Sequence, residues 1–99
     1  MKTERINEVL ETGFRYAKYK MCLSRNRIKE DSRTYYYEQL LEYLKEEIRE
    51  LEEKIEYYEL CARNNESDLF LKNCLEEIAL EAADVINYAC MICDKTEEV

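Results

Sequence analysis

The stretch IALEAADVINYACMIC, residues 78–93, decides the fold of this 99-residue chain. It is apolar almost throughout, contains no Gly or Pro, and carries only two charged residues, Glu81 and Asp84. Apolar side chains recur at intervals of three and four residues, which is the periodicity of an α-helix. The apolar arc is wide, so we predict a helix that is buried on more than one side. Carboxylates flanked by so much apolar surface lose hydration and repel each other, which makes both acids candidates for a functional site.

Composition favours an all-α protein with a single domain over residues 1–99. The chain has no Pro and one Gly, so it lacks the turn residues that a β-sandwich or barrel needs. It also has no His, which excludes Ser-His-Asp and Cys-His catalysis, His-ligated zinc and Glu-x-x-His di-iron bundles. Any metal site must therefore use oxygen or sulfur ligands.

The net charge of −8 is unevenly distributed. Residues 1–33 hold nine Lys and Arg against five Asp and Glu, whereas residues 34–99 hold six against eighteen. The basic residues of the first helix, Lys20 among them, are interpreted as a group mainly as a solvated surface, with contact of one or two of them with the phosphates of a small ligand as the alternative. An acidic body binds nucleic acid poorly because phosphate contacts dominate that affinity, so we expect no nucleic-acid partner. Neither a signal peptide nor a membrane-spanning apolar run is visible, and we expect a cytoplasmic protein without a membrane partner.

Three helices are predicted from the apolar periodicity. The first runs from residue 2 to about residue 29, and the second follows a break at residues 31–34 and ends near residue 63. The turn NNES, residues 64–67, leads into the third, which ends near residue 94.

Candidate capping residues mark where the second and third helices begin, and a heptad pattern marks the face of the second helix that is expected to pack. Asp31, Ser32 and Thr34 are candidate N-caps of the second helix, and Ser67 is the candidate N-cap of the third. The seam predicted on the second helix consists of Tyr37, Leu41, Leu44, Ile48, Leu51, Ile55, Tyr58 and Ala62. The expected fold is a long antiparallel helical hairpin with an additional N-terminal helix.

Two pairs of acids are expected to lie level with each other across this hairpin. Glu47 and Asp84 are equidistant from the centre of the turn, as are Glu50 and Glu81. Four carboxylates would then converge between two helices. A cluster of oxygen ligands without His or thiolate suits a hard divalent cation such as Mg²⁺ or Mn²⁺.

Other interpretations of these residues stay open. The four acids are alternatively structural, salt-bridged or protonated. Lys54 would form an ion pair with Glu50, four residues earlier, or contact a phosphate as a ligand-binding residue. Cys90 and Cys93 are interpreted as small core residues, with redox or soft-metal chemistry as the alternative. Several tyrosines would pack between helices or stack on a base, namely Tyr35, Tyr36, Tyr37, Tyr43, Tyr57 and Tyr58.

The acidic segments resemble a known enzyme family. LKEEIREL, residues 44–51, followed by EAADV, residues 81–85, resembles the E-E-x-x-E…E-x-x-D signature of the MazG-like all-α nucleoside triphosphate pyrophosphohydrolases. ADVINYACMICD, residues 83–94, is similar to the D-V-x-N-Y segment of phage-type dATP/dGTP diphosphohydrolase relatives. The resemblance covers residues 40–94.

The resemblance implies a function and a set of site residues. It implies that Glu47, Glu50, Glu81 and Asp84 bind Mg²⁺ and that Asn87 contacts the sugar or base of a nucleoside triphosphate. The implied reaction cleaves a (d)NTP to the monophosphate and pyrophosphate. Glu47 and Glu50 are the candidate catalytic residues, because a carboxylate not used by the metal can act as a general base.

We expect the chain to form an oligomer, whether it is an enzyme or a non-catalytic module. Three long helices with apolar surface on more than one side do not close a core within one chain, so we predict a homodimer or a dimer of dimers. Two hairpins would then form a four-helix bundle of the MazG-like type. The alternative function is a non-catalytic dimerisation or adaptor module, whose acids only solubilise the bundle.

Overall fold

The computed structural model describes residues 1–23 and 31–98. Within these ranges the chain forms three α-helices, α1 (Thr3–Met21), α2 (Tyr37–Arg63) and α3 (Asp68–Lys95). A single 3₁₀ turn, Ser32–Thr34, precedes α2, and the described part of the chain contains no strand. The all-α class and the three helices predicted from the sequence are confirmed.

The first helix is shorter than predicted. It ends at Met21, where the Cys22 N–H donates to the carbonyl of Lys18 over 3.0 Å. The prediction of helix to about residue 29 is therefore wrong for residues 22 and 23, and the rest of it, residues 24–29, lies outside the described residues.

The N-cap prediction for α2 is also wrong. The cap is Tyr36, whose N–H donates to the side-chain oxygen of Gln39 over 2.8 Å. Asp31 instead caps the 3₁₀ turn, because its Oδ1 accepts from the Arg33 N–H at 3.0 Å. The acid thus stabilises a turn that comes before the helix.

The turn between α2 and α3 forms as predicted. Asn65 adopts a left-handed conformation with φ of 58°, which Asn tolerates better than most residues. Ser67 then caps α3, since its hydroxyl accepts from the Phe70 N–H at 3.2 Å. The two long helices consequently run antiparallel and pack along their length.

The face of α2 that packs on α3 differs from the predicted seam by a small rotation. The buried and half-buried residues of α2 are Leu40, Leu44, Glu47, Glu50, Leu51, Lys54, Tyr58 and Cys61. Leu41, Ile48 and Ile55, which the heptad pattern placed in the seam, are 44%, 39% and 38% exposed. The rotation brings Glu47 and Lys54 onto the contact face, so polar side chains lie between the helices.

α3 is the central helix of the three. α1 packs on α3 and makes no contact with α2 among the described residues. Small residues of α1 lie in this contact, since Gly13 faces the side chain of Ile86 and the carbonyl of the buried Ala17 accepts a hydrogen bond from Asn87. The apolar stretch that decided the fold is therefore covered from two sides, as its wide apolar arc predicted.

Few large apolar side chains are removed from solvent. Leu40 is the one large side chain that is fully buried among the described residues, whereas Leu10 and Phe14 of α1 are mostly exposed. In residues 1–23 and 31–98 no helix combines the length and the hydrophobicity needed to cross a membrane.

Candidate metal centre

Three of the four predicted acids converge between α2 and α3. Glu47 and Glu50 lie one turn apart on α2, and Glu81 faces them from α3. One carboxylate oxygen from each residue lies within 4.8 Å of the other two, and all three residues are half-buried. Oxygens bound to one Mg²⁺ are at most about 4.2 Å apart, twice the metal–oxygen distance, so only a small contraction would place all three around one ion.

This triad of Glu47, Glu50 and Glu81 brings like charges close together, and among the described residues none of the three forms an ion pair with a Lys or Arg side chain. Oε2 of Glu47 and Oε2 of Glu81 are buried and have no hydrogen-bond partner among the described residues. Burial, a hydrogen bond with Glu50 and the negative charge of Asp84 raise the pKa of Glu47 to about 7. Burial and the charges of Glu50 and Asp84 also raise the pKa of Glu81. Unpaired buried carboxylate oxygens of this kind fit a hard cation.

The fourth predicted ligand, Asp84, does not converge with the triad. Its Oδ2 lies 3.1 Å from Nζ of Lys20, and the two side chains are 21% and 11% exposed. Asp84 is nevertheless a neighbour of the triad, because its charge contributes to the raised pKa of Glu47. The interpretation of Lys20 as solvated surface is wrong, because the lysine reaches α3 from α1. Its position one turn after the buried Ala17 was the signal available in the sequence.

Lys54 lies at the next turn of α2 towards the hairpin loop. Its Nζ is 3.2 Å from Oε2 of Glu77, and the side chains are 40% and 55% exposed. The predicted ion pair is therefore made with Glu77 rather than with Glu50. A phosphate contact by Lys54 stays a prediction.

Asn87 joins α1 to α3. It is buried, and its Nδ2 donates to the carbonyl of Ala17 over 2.9 Å. Because Ala17 comes one turn before Lys20, this hydrogen bond and the Lys20–Asp84 ion pair attach the same part of α1 to the same part of α3. The contact of Asn87 with a sugar or base stays a prediction.

An aromatic cluster lies beside the triad on the side away from the hairpin loop. Tyr43, one turn before Glu47, lies with its ring centroid 5.9 Å from that of Tyr35 and 5.6 Å from that of Tyr88. Burial and the charge of Glu47 raise the pKa of Tyr88. Tyr88 lies outside the group of tyrosines predicted to pack between helices or stack on a base. Its position directly after Asn87 was the signal in the sequence that could have included it.

The cysteines supply no ligand to this centre. Cys90 and Cys93 are exposed, so their interpretation as core residues is wrong. Cys61 and Cys74 are buried instead, and burial together with the neighbouring Cys61 raises the pKa of the Cys74 thiol. Both buried cysteines lie near the hairpin loop, on the far side of Lys54 from the triad.

The arrangement is suited to binding one hard divalent cation by carboxylate oxygens, next to a lysine and an aromatic surface. Its parts follow each other along the hairpin in the order aromatic cluster, triad and Lys54. Comparison of the chain with protein-family models, with curated proteins and with solved structures finds no match.

Proposed function

We propose that this protein is a Mg²⁺-dependent nucleoside triphosphate pyrophosphohydrolase that converts a (d)NTP into the monophosphate and pyrophosphate, with Mn²⁺ as a substitute metal. The observation that carries the proposal is the convergence of Glu47, Glu50 and Glu81, two of which have buried carboxylate oxygens without a hydrogen-bond partner among the described residues. The resemblance of residues 44–51 and 81–85 to the MazG-like signature supports the same function.

In this proposal Glu50 and Glu81 would hold the cation, and Glu47 would accept a proton. When bound, Mg²⁺ neutralises charge on the phosphate oxygens. The water oxygen bonds to the α-phosphorus, and Glu47 takes the proton that the water loses. The bond from the α-phosphorus to the bridging oxygen breaks, and pyrophosphate leaves with the electron pair. In the metal-free protein, burial and the neighbouring acids raise the pKa of Glu47, which makes its carboxylate a stronger proton acceptor than an ordinary glutamate.

The rest of the nucleotide is assigned to the two ends of the site. The base stacks against the Tyr43 and Tyr88 side of the triad, and Asn87 contacts the sugar or the base. Lys54, at the other end, contacts a phosphate after separation from Glu77. These assignments account for both the aromatic cluster and the basic residue near the acids.

We infer that the protein acts in the cytoplasm as a homodimer, or as a dimer of dimers, built on a four-helix bundle. Leu41, Ile48 and Ile55 are seven residues apart, so they form one stripe along α2, and all three are exposed in the single chain. Leu75 of α3 is also exposed. A second hairpin would bury this surface, which one chain leaves in contact with water. Light scattering is expected to show twice the chain mass or more, and Ile48→Glu to reduce it.

Metal titration followed by a substrate screen tests the enzymatic proposal. Calorimetry with Mn²⁺ is expected to show saturable binding that Glu81→Gln abolishes and Glu52→Gln, on the exposed side of α2, preserves. Pyrophosphate release is then measured for the common ribo- and deoxyribonucleoside triphosphates. Absence of Mn²⁺ binding by the wild-type protein would refute the proposal.

The second candidate function is a non-catalytic dimerisation or adaptor module. The exposed stripe of Leu41, Ile48 and Ile55 favours it, because such a surface binds a protein partner whether or not the acids bind metal. Mn²⁺ binding without pyrophosphate release from any nucleotide would favour a nucleotide-binding relative that has lost catalysis. Dimerisation without Mn²⁺ binding would favour the adaptor.

A further inference from the structure

We propose that Lys20 is a phosphate-binding residue of the acidic site, which is paired with Asp84 when no phosphate is bound and with a phosphate oxygen when the ligand is bound. This inference rests on the proposed function, because it requires a ligand that brings a phosphate chain and a divalent cation to the triad. It assigns the basic contact of the site to α1, a helix outside the hairpin that carries the acids.

The position of Lys20 supports this role. Its Nζ lies 3.1 Å from Asp84, and only 11% of its side chain is exposed, so the packing of α1 on α3 already orders the ammonium group. The positive charge also acts on the triad, since it opposes the rise in the pKa of Glu81. An ordered side chain loses little conformational freedom when it binds a ligand.

The charges of the site favour such a residue. Glu47, Glu50, Glu81 and Asp84 together oppose the binding of a triphosphate, and one divalent cation offsets only part of their charge. Among the described residues, Lys54 is a second lysine beside the cluster, but it is more exposed and is paired with Glu77. A charge-assisted hydrogen bond from Lys20 would supply the second positive contact that the phosphate chain needs.

The exchange of partners also explains why Asp84 is separate from the triad. Asp84 lies one turn from Glu81 and is held by the lysine. Transfer of Lys20 to a phosphate would free the Asp84 carboxylate to join the acids that hold the cation, so that lysine and aspartate would both keep an oppositely charged neighbour. The four-acid cluster expected from the sequence would then form in the ligand complex.

The test uses inorganic tripolyphosphate with Mg²⁺, which presents a phosphate chain without a base. Calorimetry is expected to show that Lys20→Met weakens its binding about tenfold or more, the loss typical of a hydrogen bond to a charged group. Lys20→Arg, which keeps the charge, should weaken it less. The matched control Lys18→Met removes an exposed lysine of the same helix and should bind within about twofold of wild type. Mn²⁺ alone should bind to Lys20→Met at least as tightly as to wild type.

A second comparison keeps the test valid if Lys20→Met does not fold. This comparison is between Asp84→Asn and the double variant Lys20→Met/Asp84→Asn. Neither of them leaves an unpaired buried carboxylate at residue 84. The double variant should bind Mg²⁺–tripolyphosphate more weakly than Asp84→Asn. Equal affinities within either comparison would overturn the assignment of Lys20, as would a wild-type protein that binds Mn²⁺ but no Mg²⁺–tripolyphosphate. A wild-type protein that fails to bind Mn²⁺ would instead refute the proposed function, and this inference with it.

Discussion

Two acidic residues one turn apart on α3, Glu81 and Asp84, lie in opposite electrostatic environments. Glu81 converges with two glutamates of α2, and its buried Oε2 has no hydrogen-bond partner in the described part of the chain. Asp84 lies beside Lys20 of α1. Both acids are half-buried on the same helix, so their difference comes from the neighbouring helix that each one faces.

This difference separates a structural acid from a candidate functional one. The Lys20–Asp84 ion pair compensates its own charge and attaches α1, with help from the hydrogen bond of Asn87. The triad brings like charges together at a cost in stability that a bound cation would relieve. Substitutions in the two regions should therefore change stability in opposite directions.

The largest effect is expected from Lys20→Met. This variant leaves Asp84 half-buried without its ion-pair partner, and we expect the free energy of unfolding to fall by about 3 kcal/mol, at the low end for a buried pair because Asp84 keeps some contact with water. Urea unfolding measures it. Lys20→Met/Asp84→Asn should recover most of the loss, since no unpaired charge remains. If Lys20→Met were as stable as wild type, the ion pair with Asp84 would not stabilise the fold, and the contrast between Asp84 and the triad would be lost.

Glu47→Gln should have the opposite sign and a smaller size. The folded-state pKa of Glu47 is about 7, above its ordinary value of 4.5, so the folded protein binds more protons than the unfolded chain between these values. Ionisation of Glu47 therefore lowers the free energy of unfolding of wild type as pH rises through this window, by about 2 kcal/mol after allowance for solvent screening. Gln cannot ionise, and the variant should be more stable than wild type by about this amount at about pH 8 without divalent ions.

Urea unfolding from acidic to basic pH in the presence of a chelator measures this difference. The advantage of Glu47→Gln should disappear at about pH 4, where Glu47 is protonated in both states. Glu52→Gln, on the exposed side of α2, serves as the matched control and should show no such pH-dependent gain. A pH-independent difference between Glu47→Gln and wild type would show that the triad carries no strain from like charges.

The smallest effect is expected from Lys54→Met, the matched counterpart of Lys20→Met. The Lys54–Glu77 ion pair is largely solvated, so its loss should change the free energy of unfolding by about 0.5 kcal/mol or less. Urea unfolding of the two methionine variants side by side compares the lysines directly. A loss as large as that of Lys20→Met would mean that exposure does not distinguish the two ion pairs.

Local sequence signals predicted the hairpin well. The turn requires a residue that tolerates positive φ and a side chain that caps the next helix, and Asn65 and Ser67 supply both within four residues. The equal distances of Glu50 and Glu81 from the turn then predicted that they face each other, because antiparallel helices keep a fixed rise per residue. Such inferences need only nearby residues and helix geometry.

The contact face of α2 was harder to predict. Leu41, Ile48 and Ile55 have the spacing and hydrophobicity of a core seam, yet a neighbouring stripe packs on α3. An amphipathic pattern shows where an apolar stripe lies but does not specify which edge of it meets a given helix. The exposure of Cys90 and Cys93, in a stretch that reads as apolar throughout, has the same origin.

The sequence by itself determined the helical class, the hairpin and the meeting of Glu47 and Glu50 with Glu81, because helix periodicity and a four-residue turn are local properties. Only the tertiary structure decided the position of Asp84, since its partner, Lys20, is 64 residues earlier on a helix that contacts no other helix than α3 in the described part of the chain. The distance between two such side chains depends on how α1 packs, and no spacing within α3 contains that information. The same packing determines that Asp84 is paired with a lysine whereas Glu81 faces two other acids.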